Sequence, residues 1–449
     1  MRGDFSRLVL GGDGSSRVLL QQGRVLLDSD WNEAVADLVT AQRRLAADLI
    51  GPHGGPADDM GFALGATTTN GEADLTIGVG CYYVDGYRVA VEADPTGKST
   101  TLWSNQPFTP WVDKPKLPDP PYLVYLDVWE QHVSALQDDS IREVALGGPD
   151  TTSRARLVWQ IRTVSIAGEG DLDLQATCAA FPLKDWRARL VGSQPLLRAR
   201  AKRDENDDEL CLASPDAGYR GVENQLYRVE VADVDEQGAT FVWSRENGSV
   251  AATWTGTDVD RLHVEGVRDA VHGFAAGDWV ELTWDRLELA GVAGTRVRIT
   301  AVDGGTLIFD SASATGTVNA DPGKLGHAIV RRWDAHRRAG VDMVGGAIRI
   351  TEDNGDTHWV GLEDGIEVQF AAPDAGDPDH IYRFGDYWTI VARVSTGDIQ
   401  WARGTDAKPM ALPPQGIKHH YAPLAWFGDG DGMTELGRQF ARLATCVPL

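Results

Sequence analysis

Lys418-His419-His420-Tyr421, followed by Ala422-Pro423-Leu424, is the densest histidine cluster in the chain. Imidazoles bind metals and move protons near neutral pH. Neighbouring side chains on a strand point to opposite faces, so these two histidines do not readily chelate one ion within a single chain. In a symmetric oligomer one histidine per subunit could meet on an axis and bind a metal jointly. The simpler reading is a hydrogen-bonded loop near the carboxyl end, and no metal or other cofactor is implied.

Two acidic loops, Asp353-Asn354-Gly355-Asp356 and Asp429-Gly430-Asp431-Gly432, are rich in oxygen ligands, yet neither continues to the bidentate glutamate of an EF-hand. Turn formation accounts for both, since Asp, Asn and Gly tolerate positive φ. Gly97-Lys98-Ser99-Thr100 looks like the end of a phosphate-binding loop. The residue five before Gly97 is Glu92 instead of glycine, and no helical pattern follows, so the backbone cradle is missing. Gly78-Val79-Gly80 lacks the third glycine of a dinucleotide fingerprint. There is no H-E-x-x-H, no G-x-S-x-G and no recognisable Cys–His arrangement. With 66 acidic residues, carboxylate pairs arise by chance and carry no signal for glycosidase chemistry. The expectation is a protein that is not an enzyme.

Short matches carry little. Arg2-Gly3-Asp4 coincides with an integrin-recognition tripeptide, and Asn247-Gly248-Ser249 is a formal glycosylation acceptor; local turn chemistry explains each. The 15 tryptophans say more. Alternation places Trp159, Trp243 and Trp284 among inward residues. Trp103 and Trp111, in the proline-rich excursion near residues 107–121, are the candidates for exposure, partner contact or a sugar-stacking platform.

The elements that position these residues are mostly strands. One long helix opens the chain: Asp30 and Glu33 resemble a capping box, Trp31, Val35, Leu38, Leu45 and Leu49 recur every three or four residues, and Gly51-Pro52 supplies the stop. About 20 residues of helix span about 30 Å. The seam is narrow, interrupted by Gln42 and lined by Ala34 and Ala41, which suits packing on another helix or a shallow groove; covering an edge of the first sheet is equally open. From residue 73 the period changes to two. Leu75, Ile77, Val79, Cys81 and Tyr83 share one face, Asp85-Gly86 is a type I′ turn, and Tyr87, Val89 and Val91 return. Val124-Leu126-Val128 and Leu157-Trp159-Ile161 repeat the pattern. Basic residues 198–203 meet acidic residues 204–209, which marks a linker. Beyond it, Tyr227-Val229-Val231 and Phe241-Trp243 form a hairpin, and Val280-Leu282-Trp284, Val297-Ile299 and Leu307-Phe309 suggest a small barrel or sandwich. Val360-Leu362, Ile366-Val368-Phe370, Ile390-Ala392-Val394 and Ile399-Trp401 pair strands towards the end.

The predicted fold is therefore mainly β: several antiparallel sandwiches or small barrels with an N-terminal α-helix. The expected division is an arm and helix over 1–72, β domains over 73–197 and 217–340, a linker over 198–216, and a C-terminal β domain over 341–449. A length of 449 residues agrees with about three domains. Net charge is −24, a field that repels a phosphate backbone, so nucleic acid is disfavoured. No apolar run reaches the ~18–20 residues of a membrane helix, and no secretory leader is present, so assembly in the cytoplasm is expected. Four scattered cysteines read as buried thiols, with a bridge between Cys178 and Cys211 as the minor alternative.

Four blocks carry a resemblance. Met1-Arg2-Gly3-Asp4-Phe5-Ser6-Arg7 with Leu20-Gln21-Gln22-Gly23-Arg24-Val25-Leu26-Leu27-Asp28-Ser29-Asp30-Trp31-Asn32-Glu33 comes first. Then come Ala145-Leu146-Gly147-Gly148-Pro149-Asp150-Thr151, Gly221-Val222-Glu223-Asn224-Gln225-Leu226-Tyr227-Arg228 with Phe241-Val242-Trp243-Ser244-Arg245, and the block from Gly416 to Leu424. Together they are similar to an uncharacterised domain family encoded beside phage-tail-like extracellular contractile injection systems. The resemblance implies a structural component of such a particle, at the baseplate or in a fibre or spike. It would dock on other particle proteins through Trp31, Val35, Leu38, Leu45 and Leu49, and tail appendages of this kind are often trimeric. A carbohydrate- or cell-surface-binding module and a glycan hydrolase are the alternatives.

Overall fold

Helix α1 (Asp28–Ile50) begins two residues earlier than Asp30, because Asp30 does not cap it from outside. Its Oδ2 accepts from the Leu27 N–H at 3.1 Å, reaching back from the first turn. Gly51, at φ +92°, ends it with its N–H on the Ala47 carbonyl. In this computed structural model the described residues are all but 12–13, 94–98, 114, 168–171, 203–217, 268–272, 336–340, 356, 429–431 and 442–449.

Strands β1 (His53–Pro56), β2 (Leu64–Thr69), β3 (Glu72–Gly78), β4 (Gly80–Val84) and β5 (Tyr87–Val91) follow. The single strand expected from Leu75 to Tyr83 is two strands in two sheets: β3 pairs with β2, and β4 with β1 and β5. Gly80 makes the break. It sits at φ +123°, and a Cβ there would lie 2.6 Å from the Gly61 nitrogen, so only glycine fits. The slip changes the phase: Leu75 and Ile77 are buried, but beyond the break Tyr82 points inward instead of Tyr83. Asp85-Gly86 forms the expected turn, with φ +48° and +81°.

β6 (Thr100–Leu102) edges the β2/β3 sheet. β7 (Tyr122–Val133) and β8 (Arg154–Ser165) pair along their full length. Val124, Leu126, Val128, Trp159 and Ile161 bury one face of that pair. The other face packs Leu123 and Tyr125 against Trp186 of α2 (Leu183–Val191). The proline-rich excursion folds back onto the first face with Leu117 and Phe108.

The expected linker starts inside a strand. β9 (Leu196–Ala201) buries Leu197 and Ala199, and only residues 203–217 of that stretch lie outside the described residues. β10 (Gln225–Asp235) and β11 (Gly238–Ser244) form the expected hairpin. β12 (Ala251–Asp258), β13 (Arg261–Glu265), β14 (Trp279–Thr283), β15 (Thr295–Asp303), β16 (Thr306–Asp310) and β17 (Ile329–Trp333) close into a barrel. Val280, Leu282, Val297, Ile299 and Leu307 fill it, and the one-turn helix α3 (Asp285–Ala290) lies between β14 and β15.

β18 (Met343–Val344), β19 (Ala347–Arg349), β20 (Val360–Gly361), β21 (Ile366–Ala371), β22 (Tyr387–Arg393) and β23 (Asp398–Gln400) complete the second unit. Its six-stranded sheet runs β18-β19-β11-β10-β22-β23, and β21 pairs with β9. Strands from both sides of residue 340 thus share one sheet, so the expected C-terminal β domain is not separate. β24 (His420–Phe427) and β25 (Met433–Glu435) extend the β7/β8 sheet, and β26 (Gln439–Phe440) runs parallel to β1. Among the described residues the three largest cores belong to the first unit, the second unit and the barrel, and β26 returns to the first. Among the described residues no helix is long and apolar enough to cross a membrane.

Candidate functional site

α1 turns its apolar face outward. Towards its own subunit it presents Ser29 and Asp37, both buried, together with half-buried Glu33 and Arg43. Arg43 Nη2 lies 2.6 Å from Glu130 Oε1, and its guanidinium sits 3.8 Å over the Tyr87 ring. Arg7 Nη2 reaches Glu33 Oε2 at 2.8 Å. Gly86 permits the close approach, because a Cβ there would meet the Arg43 carbonyl oxygen at 2.0 Å. On the far side Trp31, Val35, Leu38, Leu45 and Leu49 are 46–68% exposed. Leu19, Leu20, Val25, Leu26 and Leu27 are exposed as well. The seam therefore does not cover the first sheet. α1 and the segment before it thus leave these large apolar side chains exposed.

The residues before the helix form a strap. Arg2 places Nη2 2.5 Å from Glu230 Oε1 on β10 and Nη1 2.9 Å from Glu288 Oε1 on α3, tying the second unit to the barrel. Arg228 also engages Glu230 through Nε, donates to the Met1 carbonyl at 3.0 Å, and lies 3.6 Å over the Tyr387 ring. Burial alone would raise the Glu230 carboxyl; Arg2 and Arg228 outweigh it and hold the group at about 2. Arg2-Gly3-Asp4 is thus no exposed recognition tripeptide. Asn247 is buried in a turn at φ +52° and donates to the Gly3 carbonyl at 2.8 Å, which occupies the formal glycosylation site.

A cavity of about 760 Å³ opens where the three units meet, lined by side chains that include Asp127, Trp129, Arg331, Asp386, His419 and Tyr421. Asp127 is buried and accepts from His419 Nδ1 at 2.7 Å, with Arg162 Nε at 3.1 Å from its other oxygen. The His419 ring lies between Trp129, at 4.8 Å, and Tyr421, at 6.0 Å and nearly parallel. Asp386 faces the same space; burial pushes its carboxyl up to about 7 against the opposing pull of Arg383 and His419. A carboxylate fixes the imidazole here, and a second acid is poised near neutrality, a pairing suited to binding a polar ligand or moving a proton.

His420 points the other way, as strand alternation requires. Its Nδ1 lies 2.9 Å from Asp85 Oδ2 and its ring 4.3 Å from Tyr87. The two histidines thus have separate partners within one chain. Lys418 is exposed and Tyr421 packs with Trp186 and Tyr125. Among the described residues no three or more His, Cys, Asp and Glu side chains gather as a metal site. Asp353 instead accepts from the Gly355 and Thr357 N–H groups and the Thr357 hydroxyl, the expected turn; Asp356 and the loop at 429–431 lie outside the described residues. Cys81 and Cys178 are free thiols, while Cys211 and Cys446 lie outside the described residues.

Trp103 is a correction. It is 3% exposed, its Nε1 donates to the Ile161 carbonyl at 2.9 Å, and its ring lies 4.6 Å from half-buried Trp111. The excursion folds onto the β7/β8 sheet, burying Trp103 and half-burying Trp111. Trp159 and Trp243 are buried as expected, and Trp284 is half-buried beside α3.

Residues 1–189 and 182–447 match the model of a family of unknown function (DUF6519), which leaves almost none of the chain outside. The chain belongs to that family. No curated protein matches it, and neither does any solved structure. The two matched stretches of DUF6519 meet within α2, just before β9 opens the second unit.

Sequence reasoning missed Arg2, Asp127, Arg228 and Glu230. Asp127 stands inside the apolar run of β7, the one local signal of a buried acid. Arg228 and Glu230 alternate with inward Tyr227, Val229 and Val231 and so read as a solvated face; the barrel and the strap cover that face.

Proposed function

We propose that this chain is a non-enzymatic structural component of a phage-tail-like contractile injection particle, baseplate-associated or in a fibre or spike, that docks through residues 19–49. The outward apolar face of α1 carries this role. Fully burying a large apolar side chain contributes about 1.5–3 kcal/mol. Trp31, Val35, Leu38, Leu45 and Leu49 are each roughly half exposed, so together they contribute on the order of 4–8 kcal/mol against an association cost of about 4–15 kcal/mol. The particle context draws its support from the four sequence blocks, one of which leads directly into this helix. Assembly takes place in the cytoplasm, with other particle proteins as partners.

The test is to purify intact particles from the source, measure by mass spectrometry whether the chain is stoichiometric in them, and repeat with Leu38→Lys and Leu45→Lys combined. The substituted chain should fold and be left out. Unchanged incorporation defeats the proposal. Deleting residues 1–50 is a poor substitute, because Met1 and Arg2 belong to the interior.

A second reading rests on the Asp127, His419 and Asp386 cluster, which would make the central cavity a ligand or hydrolytic site. Loss of binding or turnover across a glycan panel in both Asp386→Asn and His419→Gln, with folding intact, would favour it. The sugar platform proposed for Trp103 loses its basis, since that ring is buried.

A further inference from the structure

The outward seam of α1 has a regular spacing. From Trp31 the steps to Val35, Leu38, Gln42, Leu45 and Leu49 run four, three, four, three, four, which is the a/d seam of a coiled coil with Val35, Gln42 and Leu49 at a and Trp31, Leu38 and Leu45 at d. All six are exposed, and at ~1.5 Å per residue the seam is about 27 Å long. The subunit lies behind the opposite stripe, where Glu33, Asp37 and Arg43 pack, so a second helix can lie along the seam without meeting the body.

We infer that the occupant is the same helix of a second copy, paired parallel and in register, a surface deepening that rests on the assembly role proposed above. Gln42 selects the occupant. Its amide both donates and accepts, so it is satisfied by another Gln42 at the same level and left unpaired against an apolar residue. The flanks agree. In a parallel pair Ala34 faces the partner's Val39, and Ala41 faces the partner's Ala46. Charged flanking residues normally choose a distinct partner; the flanking strip from Ala34 to Ala46 carries none, Asp48 at the last flanking position being the one charge. On a chain of net charge −24 an uncharged strip is where two copies approach with least repulsion. Val35 at a with Leu38 at d is the combination that favours two strands over three. Leu19, Leu20, Val25, Leu26 and Leu27 remain free to attach the pair to the particle.

Analytical ultracentrifugation of the full chain over a range of concentrations should give twice 48.6 kDa. Leu38→Asp with Leu45→Asp should halve that mass and leave the circular dichroism unchanged. Gln42→Cys under mild oxidation should form a disulfide between the two copies of position 42, mapped by peptide mass spectrometry and missing from the unsubstituted chain. A monomeric intact chain, a mass of three copies, or failure of Gln42→Cys to cross-link overturns the inference. The assembly role fails separately: a stable pair that is not found in purified particles refutes that role and leaves the pairing standing. A monomer that the aspartate variant keeps out of particles does the reverse.

Discussion

Arg2 and Glu230 meet at 2.5 Å although 228 positions separate them in the chain. Arg228, on the same strand as Glu230, shares that carboxylate, so one acid side chain fastens the N-terminal strap to the second unit. Removing one partner of a buried ion pair typically costs about 3–5 kcal/mol, and Arg228 compensates in part. Arg2→Ala should therefore lower stability by about 3 kcal/mol in urea unfolding.

The same contact sets an acid limb. Glu230 is held at about 2 in the folded chain, against an ordinary value of 4.5. A depressed carboxyl contributes stability that is present above its unfolded value and lost as pH falls through the folded one. Stability should decline between pH 4.5 and 2, and Arg2→Ala should flatten that decline in a Tm-versus-pH series.

Asp386 has the opposite sign. Burial lifts it from 3.8 to about 7, so its contribution is present below 3.8 and lost as pH rises through 7. Asp386→Asn should raise stability at pH 8 by on the order of 2 kcal/mol, with the gain shrinking towards pH 4. Equal Tm values for the two proteins at pH 8 would contradict this.

Trp103→Ala should cost about 3–5 kcal/mol as a core truncation, and Trp111→Ala less, because that ring is half-buried. Calorimetric unfolding measures both. A glycan array should show no sugar binding that depends on either ring.

Gly86→Ala places a methyl where the Arg43 carbonyl oxygen stands and forces alanine to φ +81°. The cost should be about 2 kcal/mol, concentrated at α1, where hydrogen exchange and proteolysis should accelerate. Gly238→Ala, with open space around it and φ +117°, carries the backbone strain without the collision and should leave α1 protected.

Much of the fold was readable from residue order because its signals are local. Asp85-Gly86 fixes a turn by its own φ preferences, the β10/β11 hairpin follows from alternation around Gln237-Gly238, and the spacing of Trp31, Val35, Leu38, Leu45 and Leu49 defines a helix face whatever that face meets. The failures have one cause. Alternation states that Arg228 and Glu230 lie on one side of a strand, but not whether water or a barrel lies there. Trp103 has an equally polar and proline-rich neighbourhood whether the excursion stands away or folds back. Residues 198–201 look like a linker until β21 pairs with them.

The order of amino acids by itself determined the mainly β class, the leading helix, the barrel stretch and most turns, since each depends on contacts within a few residues. Tertiary structure alone decided which sheet received β9 and β24, that α1 would show its apolar face to solvent, and that Arg2, Glu230, Asp127 and His419 would be brought together. Those outcomes depend on pairings across hundreds of residues, chosen by the packing of the whole chain, and a periodic pattern encodes which face is apolar without encoding what will cover it.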